Sequence, residues 1–305
     1  GTLPLKYLGL PLVSRKLTAM ECRCLTSKLV AKTQAWASKC LSYSGRLQLI
    51  QAVLAGIQNF WTSNTIVPIA TLKQCEKIMR AYLWAGSTGS SKAKVSWSQV
   101  CKPKVEGGLG LRKAIDCNKA AMVRLLWDVI IDRSSLWVRW TTWKYILSLR
   151  AHAASNLVYS IGRNSSWSLW YDLWFQNSSL VSKLGSRIIY ESGLHRDAPL
   201  SEVIQDFVWS WPYHVWQLRE ISLACSNIPI RQSDVIGWVG EGRAFSFKSA
   251  WETLRSPAPL VPWQQLVWFR GAIPKHSFCL WLTFHKAHRT LDKLLAYGIV
   301  QQSQC

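Results

Sequence analysis

The sequence predicts a mainly α chain: a basic helical bundle followed by a smaller C-terminal domain of α+β or helical character. Three observations carry this. Apolar residues recur at three- and four-residue spacing through most of the first 150 positions. Candidate strands are short and confined to 5–13, 95–97 and 235–247. Of the 305 residues 49% are hydrophobic, enough for a sizeable core and too many for wholesale disorder. The length suits roughly two domains.

The elements follow in order. LKYLGLPLV (5–13) is apolar, aromatic and bounded by prolines, so it reads as an extended segment or strand. Thr18 opens a helix with Glu21 at capping-box spacing. Cys22, Leu25, Leu29, Trp36 and Cys40 make its apolar stripe, and Lys28, Lys32 and Lys39 fall in a narrow arc beside it. A second helix runs from Ser44 with Leu47, Ile50, Leu54, Ile57 and Trp61 inward, ending before Pro68. A third spans Thr71 to about Trp84 on Leu72, Cys75, Met79 and Tyr82, with Gly86 as its stop. GSTGSSKAK (86–94) is a polar connection, and Val95–Trp97 reads as a short strand. Helices are expected over 114–131 and 135–149.

Beyond residue 150 the periodic signal weakens. The clusters SWSLWYDLWF (166–175) and VWSWPYHVW (208–216) fit a core better than a base-stacking platform, because their tryptophans are mixed with apolar residues. Residues 235–247 read as a hairpin around Gly240–Gly242, and Ser246 or Ser249 starts a helix through Trp251 and Leu254. SPAPLVP (256–262) reads as a linker, and a last helical pair covers about 263–299.

Charge narrows the function. The formal net charge is +21, and residues 1–150 hold 23 of the 37 Lys/Arg but six of the 16 acids. A polyanion is the natural partner of such a surface, since phosphate contacts release condensed counterions. The nine cysteines are scattered, without a CxxC pair, which fits a reducing compartment (nuclear or cytoplasmic) better than a secreted disulfide framework. No signal-peptide pattern opens the chain. The uncharged stretch Leu47–Leu72 is broken by glutamines, asparagines and Pro68, so it reads as a buried helix and loop rather than a membrane span.

KPKVEGGLGLRK (102–113) sets three glycines among basic residues, yet it has neither P-loop nor dinucleotide-loop spacing. Catalytic patterns are also missing. There is no Asp-Asp pair to hold polymerase metals, and the basic half keeps only Asp116, Asp128 and Asp132 as aspartates. There is no GxSxG and no HExxH. Cys279, His285 and His288 form at most a partial metal face, better explained by packing.

The ordered set KYLGLPL (6–12), Trp36, LSYSGRLQLIQAVL (41–54), AYLWAG (81–86), VSWSQVCKPKVEGGLGLR (95–112) and Asn118 resembles the C-terminal region of plant-type non-LTR (LINE-like) retrotransposon reverse transcriptases. SLWYDLWF (168–175), FSFKSAW (245–251) and the block 266–299 continue the resemblance, the last resembling the zinc-binding domain that follows the polymerase. It implies that 1–13 ends the palm at the primer grip, that 14–150 is the helical thumb and its extension, that 151–234 is a Trp-rich connection, and that 235–305 is zinc-binding-like. The glycine run then becomes a family turn with basic shoulders. Lys28, Lys32, Lys39, Arg46, Lys92, Lys94, Lys102, Lys104, Arg112 and Lys113 are its candidate nucleic-acid contacts.

The aspartate-bearing palm is absent from this chain, so the expectation is a binding fragment, truncated at both ends, without catalysis of its own. The implied zinc ligands are two cysteines two apart, then a histidine and a cysteine. Cys305 takes the first place, so zinc is expected only if the chain extends further. The expected partners are RNA and DNA as template–primer duplex and the upstream polymerase domains, with no membrane. The alternatives are part of a functional RNA-directed DNA polymerase whose palm lies upstream, and a non-enzymatic interaction or membrane-surface module.

Overall fold

The computed structural model describes residues 5–13, 15–37, 40–86, 92–131, 156–239, 245–288, 290 and 295. The expected helix over 135–149, the Gly240–Gly242 turn, Lys39, Cys305 and the end of the last helical pair lie outside those residues. The chain is mainly α and divides into two compact units, Gly1–Ala121 with Leu254–Cys305, and Met122–Thr253. The divisions expected at 150 and 234 therefore do not coincide with the compact units, and the C-terminal segment shares a core with the first helices.

The first unit opens with a hairpin, β1 (Leu5–Tyr7) against β2 (Leu10–Leu12), turned by Leu8 and Gly9 at φ 47° and 84°. Two positive φ values are what a two-residue hairpin turn demands. Before α1 (Arg23–Ala37) the capping box forms as read: Thr18 N donates to Glu21 Oε2 at 2.7 Å and Glu21 N to Thr18 Oγ1 at 3.5 Å. Leu25, Leu29 and Thr33 make the buried stripe of α1, whereas Cys40 lies beyond the helix and is exposed rather than inward.

Ser42 caps α2 (Tyr43–Leu49), which continues through a π-helical turn (Ile50–Leu54) into α3 (Ala55–Asn64). Leu47, Ile50, Leu54 and Trp61 are buried along this rod. α4 (Ile69–Ala85) ends at Gly86 with φ 80°, the left-handed stop that glycine allows. Val95–Trp97 is not a strand. Ser96 Oγ accepts from Gln99 N at 3.3 Å and caps the short helix α5 (Trp97–Val100), so local capping overrides the β preference of Val and Trp. A 3₁₀ turn (Lys104–Glu106) and the glycine run lead into α6 (Ala114–Ile131).

In the second unit, β3 (Leu157–Ser160) pairs antiparallel with Val235–Trp238, with Leu157 opposite Trp238. The hairpin read over 235–247 has its turn outside the described residues. Phe247 begins a helix (Phe247–Leu254), where Ser246 and Ser249 exchange cap bonds of 3.0 Å. Most of the tryptophan clusters is core: Trp170, Trp174 and Trp211 are buried, and the Trp174, Trp209 and Trp211 rings stack with interplanar angles of 16–24°, whereas Tyr213 and Trp216 are exposed. Trp170 and Trp174 donate their indole N–H to His195 O and Leu169 O, which makes such rings affordable inside.

Back in the first unit, 256–262 is no free linker. Ala258 N donates to Glu106 at 3.1 Å and Val261 N to Val105 O at 2.9 Å. The helices Gln264–Val267 and Pro274–Phe284 then bury Val267, Phe278, Trp281 and Leu282 in the core shared with Leu47 and Trp84.

Candidate nucleic-acid interface

The cationic side chains of the first unit fall into two sets. Lys28 and Lys32 stand exposed on α1, one turn apart, flanking the Leu25–Leu29–Thr33 stripe that docks the helix. On α4, Lys73, Lys77 and Arg80 are also exposed, at four- and three-residue spacing, on the face opposite Leu72, Cys75, Met79 and Tyr82. The one acid of that helix, Glu76, is half-buried and its Oε1 accepts from Ala114 N at 2.7 Å, capping α6. Burial raises the Glu76 carboxyl above its ordinary range, with the Ala114 bond opposing. The α4 row was missed in the sequence, although the spacing that placed the apolar stripe also places these cations.

In the second set Arg46, Lys94 and Lys104 make contacts within the fold. Arg46 Nη1 donates to Leu83 O at 3.4 Å, at the C-terminal end of α4, where a guanidinium meets the helix's unpaired carbonyls and negative dipole end. Its head lies against Gly86, where an added Cβ would sit 2.7 Å from Nη2. Arg46 and Lys94 both lie over the Tyr43 ring, at 5.4 and 4.7 Å from its centroid, and Lys104 lies 4.5 Å over Trp268. Lys102 is half-buried and its carbonyl accepts from Gly110 N at 3.0 Å. Lys92, Arg112 and Lys113 are exposed. Of the residues expected from sequence, Lys28, Lys32, Lys92, Lys104, Arg112 and Lys113 are exposed, and Arg46, Lys94 and Lys102 are half-buried.

The glycine run is a turn built for its own backbone. Gly107 N, Gly108 N, Leu109 N and Gly110 N donate to Lys104 O, Pro103 O, Val100 O and Lys102 O at 2.9–3.1 Å. No N–H of this run is left to cradle a phosphate. Gly107 and Gly110 hold φ near +79° and +77°, and a Cβ on Gly108 would fall 2.0 Å from Lys102 O. The Gly107 carbonyl points the other way and accepts three donors: Trp281 Nε1 and His285 Nε2 at 2.9 Å and Gln99 Nε2 at 3.2 Å. Beside it, buried Glu106 pairs with Arg255, whose Nη1 reaches Oε2 at 2.7 Å. The Arg255 hydrogen bond, first among the causes, holds the Glu106 carboxyl below its usual range.

The partial metal face does not form. His285 Nε2 serves the Gly107 carbonyl and His288 Nε2 lies 2.9 Å from Cys279 O, so each of those nitrogens is a donor rather than a ligand. Among the described residues no group of three His, Cys, Asp or Glu side chains is placed to hold a metal ion. The buried thiols are poor nucleophiles: burial pushes Cys75, Cys117 and Cys225 up to about 12, and Cys101 also upward. No described helix is long and apolar enough to cross a membrane.

Residues 245–305 match the family model described as zinc-binding in reverse transcriptase. That segment is thus similar to a region found in reverse transcriptases. A curated protein of Arabidopsis thaliana, named for ribonuclease H, is 25% identical over 311 residues, an alignment covering 88% of this chain and 49% of the relative. The chain thus spans about half the length of the curated relative it matches. No solved structure matches it. The two matches support a retrotransposon-type protein. In the described part of the matched segment, Cys279, His285 and His288 do not converge as a metal-binding group.

Proposed function

We propose that this chain is the nucleic-acid-binding C-terminal part of a plant-type non-LTR retrotransposon reverse transcriptase. Its basic helical unit serves as a thumb on a template–primer duplex, and it has no polymerase site of its own. One observation carries the reading: α1 and α4 each turn a buried stripe inward and present Lys28 and Lys32, or Lys73, Lys77 and Arg80, outward. Cations so held by rigid helices meet a backbone of phosphates without sequence choice. The matched C-terminal segment supports the parent family. The absence of an Asp-Asp pair in the sequence supports a binding rather than a polymerising role, with chemistry supplied by upstream domains.

The test is the salt dependence of binding to an RNA–DNA hybrid. Lys28→Gln with Lys32→Gln should lower the slope of log K against log salt by about 2, at roughly 0.9 per lost phosphate contact. Adding Lys73→Gln, Lys77→Gln and Arg80→Gln should bring the loss to about 4–5 on the same basis. An unchanged slope in the fivefold variant refutes the assignment.

A further inference from the structure

The second unit holds an open cavity of about 640 Å3, lined by Tyr171, Ile189, Tyr190, Leu194, His195 and Arg196 among others. The core sets its walls. Buried Trp170 donates Nε1–H to His195 O at 2.9 Å, and this bond brings together the residues that follow each of them, Tyr171 and Arg196. Arg196 Nε then donates to Tyr171 Oη at 2.9 Å, with the guanidinium carbon 5.8 Å from the centre of the ring. A guanidinium tied by Nε keeps the N–H donors of both Nη groups, in the planar fork that meets an oxyanion side-on. Asp197 N donates to His195 Nδ1 at 3.2 Å, so the proton of the neutral ring sits on Nε2. Arg196 and His195 are both exposed.

Exposed rings gather at the same place. Within SWSLWYDLWF the side chains of Trp167, Trp170 and Trp174 are buried, and Tyr171 is the ring at the cavity, 39% exposed. Tyr190, on the helix Arg187–Ser192, is 86% exposed. His214 Nε2 lies 3.0 Å from Glu191 O, which seats the turn carrying exposed Tyr213 and Trp216 against that helix. Exposed aromatics scattered singly need no explanation, but a group of them about one short helix marks a binding face. The charge of this face is close to balanced: Arg187 pairs with Glu191 at 2.7 Å, and Asp197 and Glu220 directly follow Arg196 and Arg219. Such a face holds its partner by stacking, with a cationic fork for orientation, rather than by counterion release. Rings, fork and imidazole N–H are met together by a nucleotide of a single strand, since a duplex keeps its base faces stacked inside. The cavity volume lies within the range of small-ligand pockets.

We propose that this cavity binds an unpaired nucleotide of a single strand, its base on the Tyr190 ring and its phosphate on Arg196 and His195. Tyr171 positions the guanidinium through its hydroxyl. The second unit then handles single strand, where the basic helices of the first handle duplex. The inference rests on the nucleic-acid-binding function proposed above, and its test is separable from it.

The full chain is titrated by fluorescence anisotropy, over a salt series, with a labelled single strand of about 8 nucleotides, an abasic strand of the same length, and the hybrid duplex. At the high-salt end, where phosphate contacts are weakest, the intact strand should bind about tenfold more tightly than the abasic one. Tyr190→Ala should weaken the intact strand about tenfold, the effect of stacking one base, and Tyr190→Phe, which keeps the ring, should not. Tyr190→Ala should leave the abasic strand, the duplex and the melting temperature unchanged, since the side chain is exposed. Arg196→Gln should lower the salt slope on the intact strand by about 0.7, the share of one phosphate. The proposal is overturned by an abasic strand bound as tightly as the intact one, by an affinity unmoved in Tyr190→Ala, by an equal loss in Tyr190→Phe, or by a slope unmoved in Arg196→Gln. Base-dependent binding lost in Tyr190→Ala, with a duplex slope that the fivefold variant does not move, would leave the cavity assignment standing and sink the thumb assignment instead.

Discussion

Asn118 offers a stability test whose sign changes with chemistry at constant size. The side chain is 4% exposed, and it donates Nδ2 to Thr62 O at 2.7 Å and Thr65 O at 2.8 Å. Its Oδ1 accepts from Val67 N at 3.2 Å. One amide thus clamps the end of α3 and the loop from which the cationic helix α4 departs. Asn118→Ala removes three neutral hydrogen bonds, and at about 1 kcal/mol each the expected loss is about 3 kcal/mol. Asn118→Asp keeps the acceptor for Val67 but sets a carboxylate against two carbonyl oxygens. Only the protonated acid can donate to one of them, so its folded pKa must lie above the unfolded value of about 3.9. A raised folded pKa means stability that is present below the unfolded pKa and lost as pH rises through the folded one. Asn118→Asp should therefore be the less stable variant at pH 7.5 and approach or pass Asn118→Ala at pH 4.5. Urea unfolding gives the free energies, and hydrogen exchange at the Val67 amide gives the local readout, faster in the alanine variant. A loss under about 1 kcal/mol for Asn118→Ala, on the scale of a single bond, would refute the clamp. So would an aspartate variant whose deficit does not depend on pH.

The other predictions concern the glycine turn, its carboxylate and zinc. Gly108→Ala places a Cβ 2.0 Å from Lys102 O and should cost roughly 3 kcal/mol or more, whereas Gly56→Ala, with nothing within 4 Å in α3, should gain roughly 0.5–1 kcal/mol by urea unfolding. Glu106 has its pKa lowered by Arg255, so its contribution is present above its unfolded pKa and fades as pH falls through the folded one; the advantage of the parent chain over Glu106→Gln should shrink from pH 6 toward pH 3. Metal analysis after dialysis should find no stoichiometric zinc, and one zinc per chain, lost on Cys305→Ser, would show that the expectation is wrong.

What was legible in the sequence is what a local period or a local cap encodes. Leu25 and Leu29, Leu47 to Trp61, and Leu72 to Tyr82 are buried because helical spacing aims them at one side. Thr18 with Glu21, and Gly86, mark helix ends by chemistry confined to a few residues. Val95–Trp97 misled because β propensity is a weaker term than the Ser96 cap one residue away. Pairings at long range left no local trace: Leu157 with Trp238, or Glu106 with Arg255 across 149 positions. Charge was the least legible, since a period shows that Arg46 lies on a helix but not that its head closes the end of another. Lys73, Lys77 and Arg80 were readable, because they share a window with the stripe already traced.

The glycine run shows why composition alone could not decide between a phosphate loop and a turn. Three glycines among lysines satisfy both, and the distinction lies in where the backbone groups go. Here the N–H groups turn inward to Lys104, Pro103, Val100 and Lys102, while the Gly107 carbonyl turns toward Gln99, Trp281 and His285. What this face of the turn offers is an acceptor, the wrong polarity for an anion. Two of its three partners, Trp281 and His285, come from the C-terminal segment, as do Arg255 and Ala258 on Glu106. Cutting the segment away would leave the Gly107 carbonyl with Gln99 alone and strand the buried Glu106 carboxylate without Arg255 and Ala258, and an unpaired buried charge is costly. From Leu254 onward the region covered by the zinc-binding family model therefore shares its compact unit and its core with the basic helices, Glu106 and Gly107 among its partners, whereas its residues before Leu254 belong to the second unit.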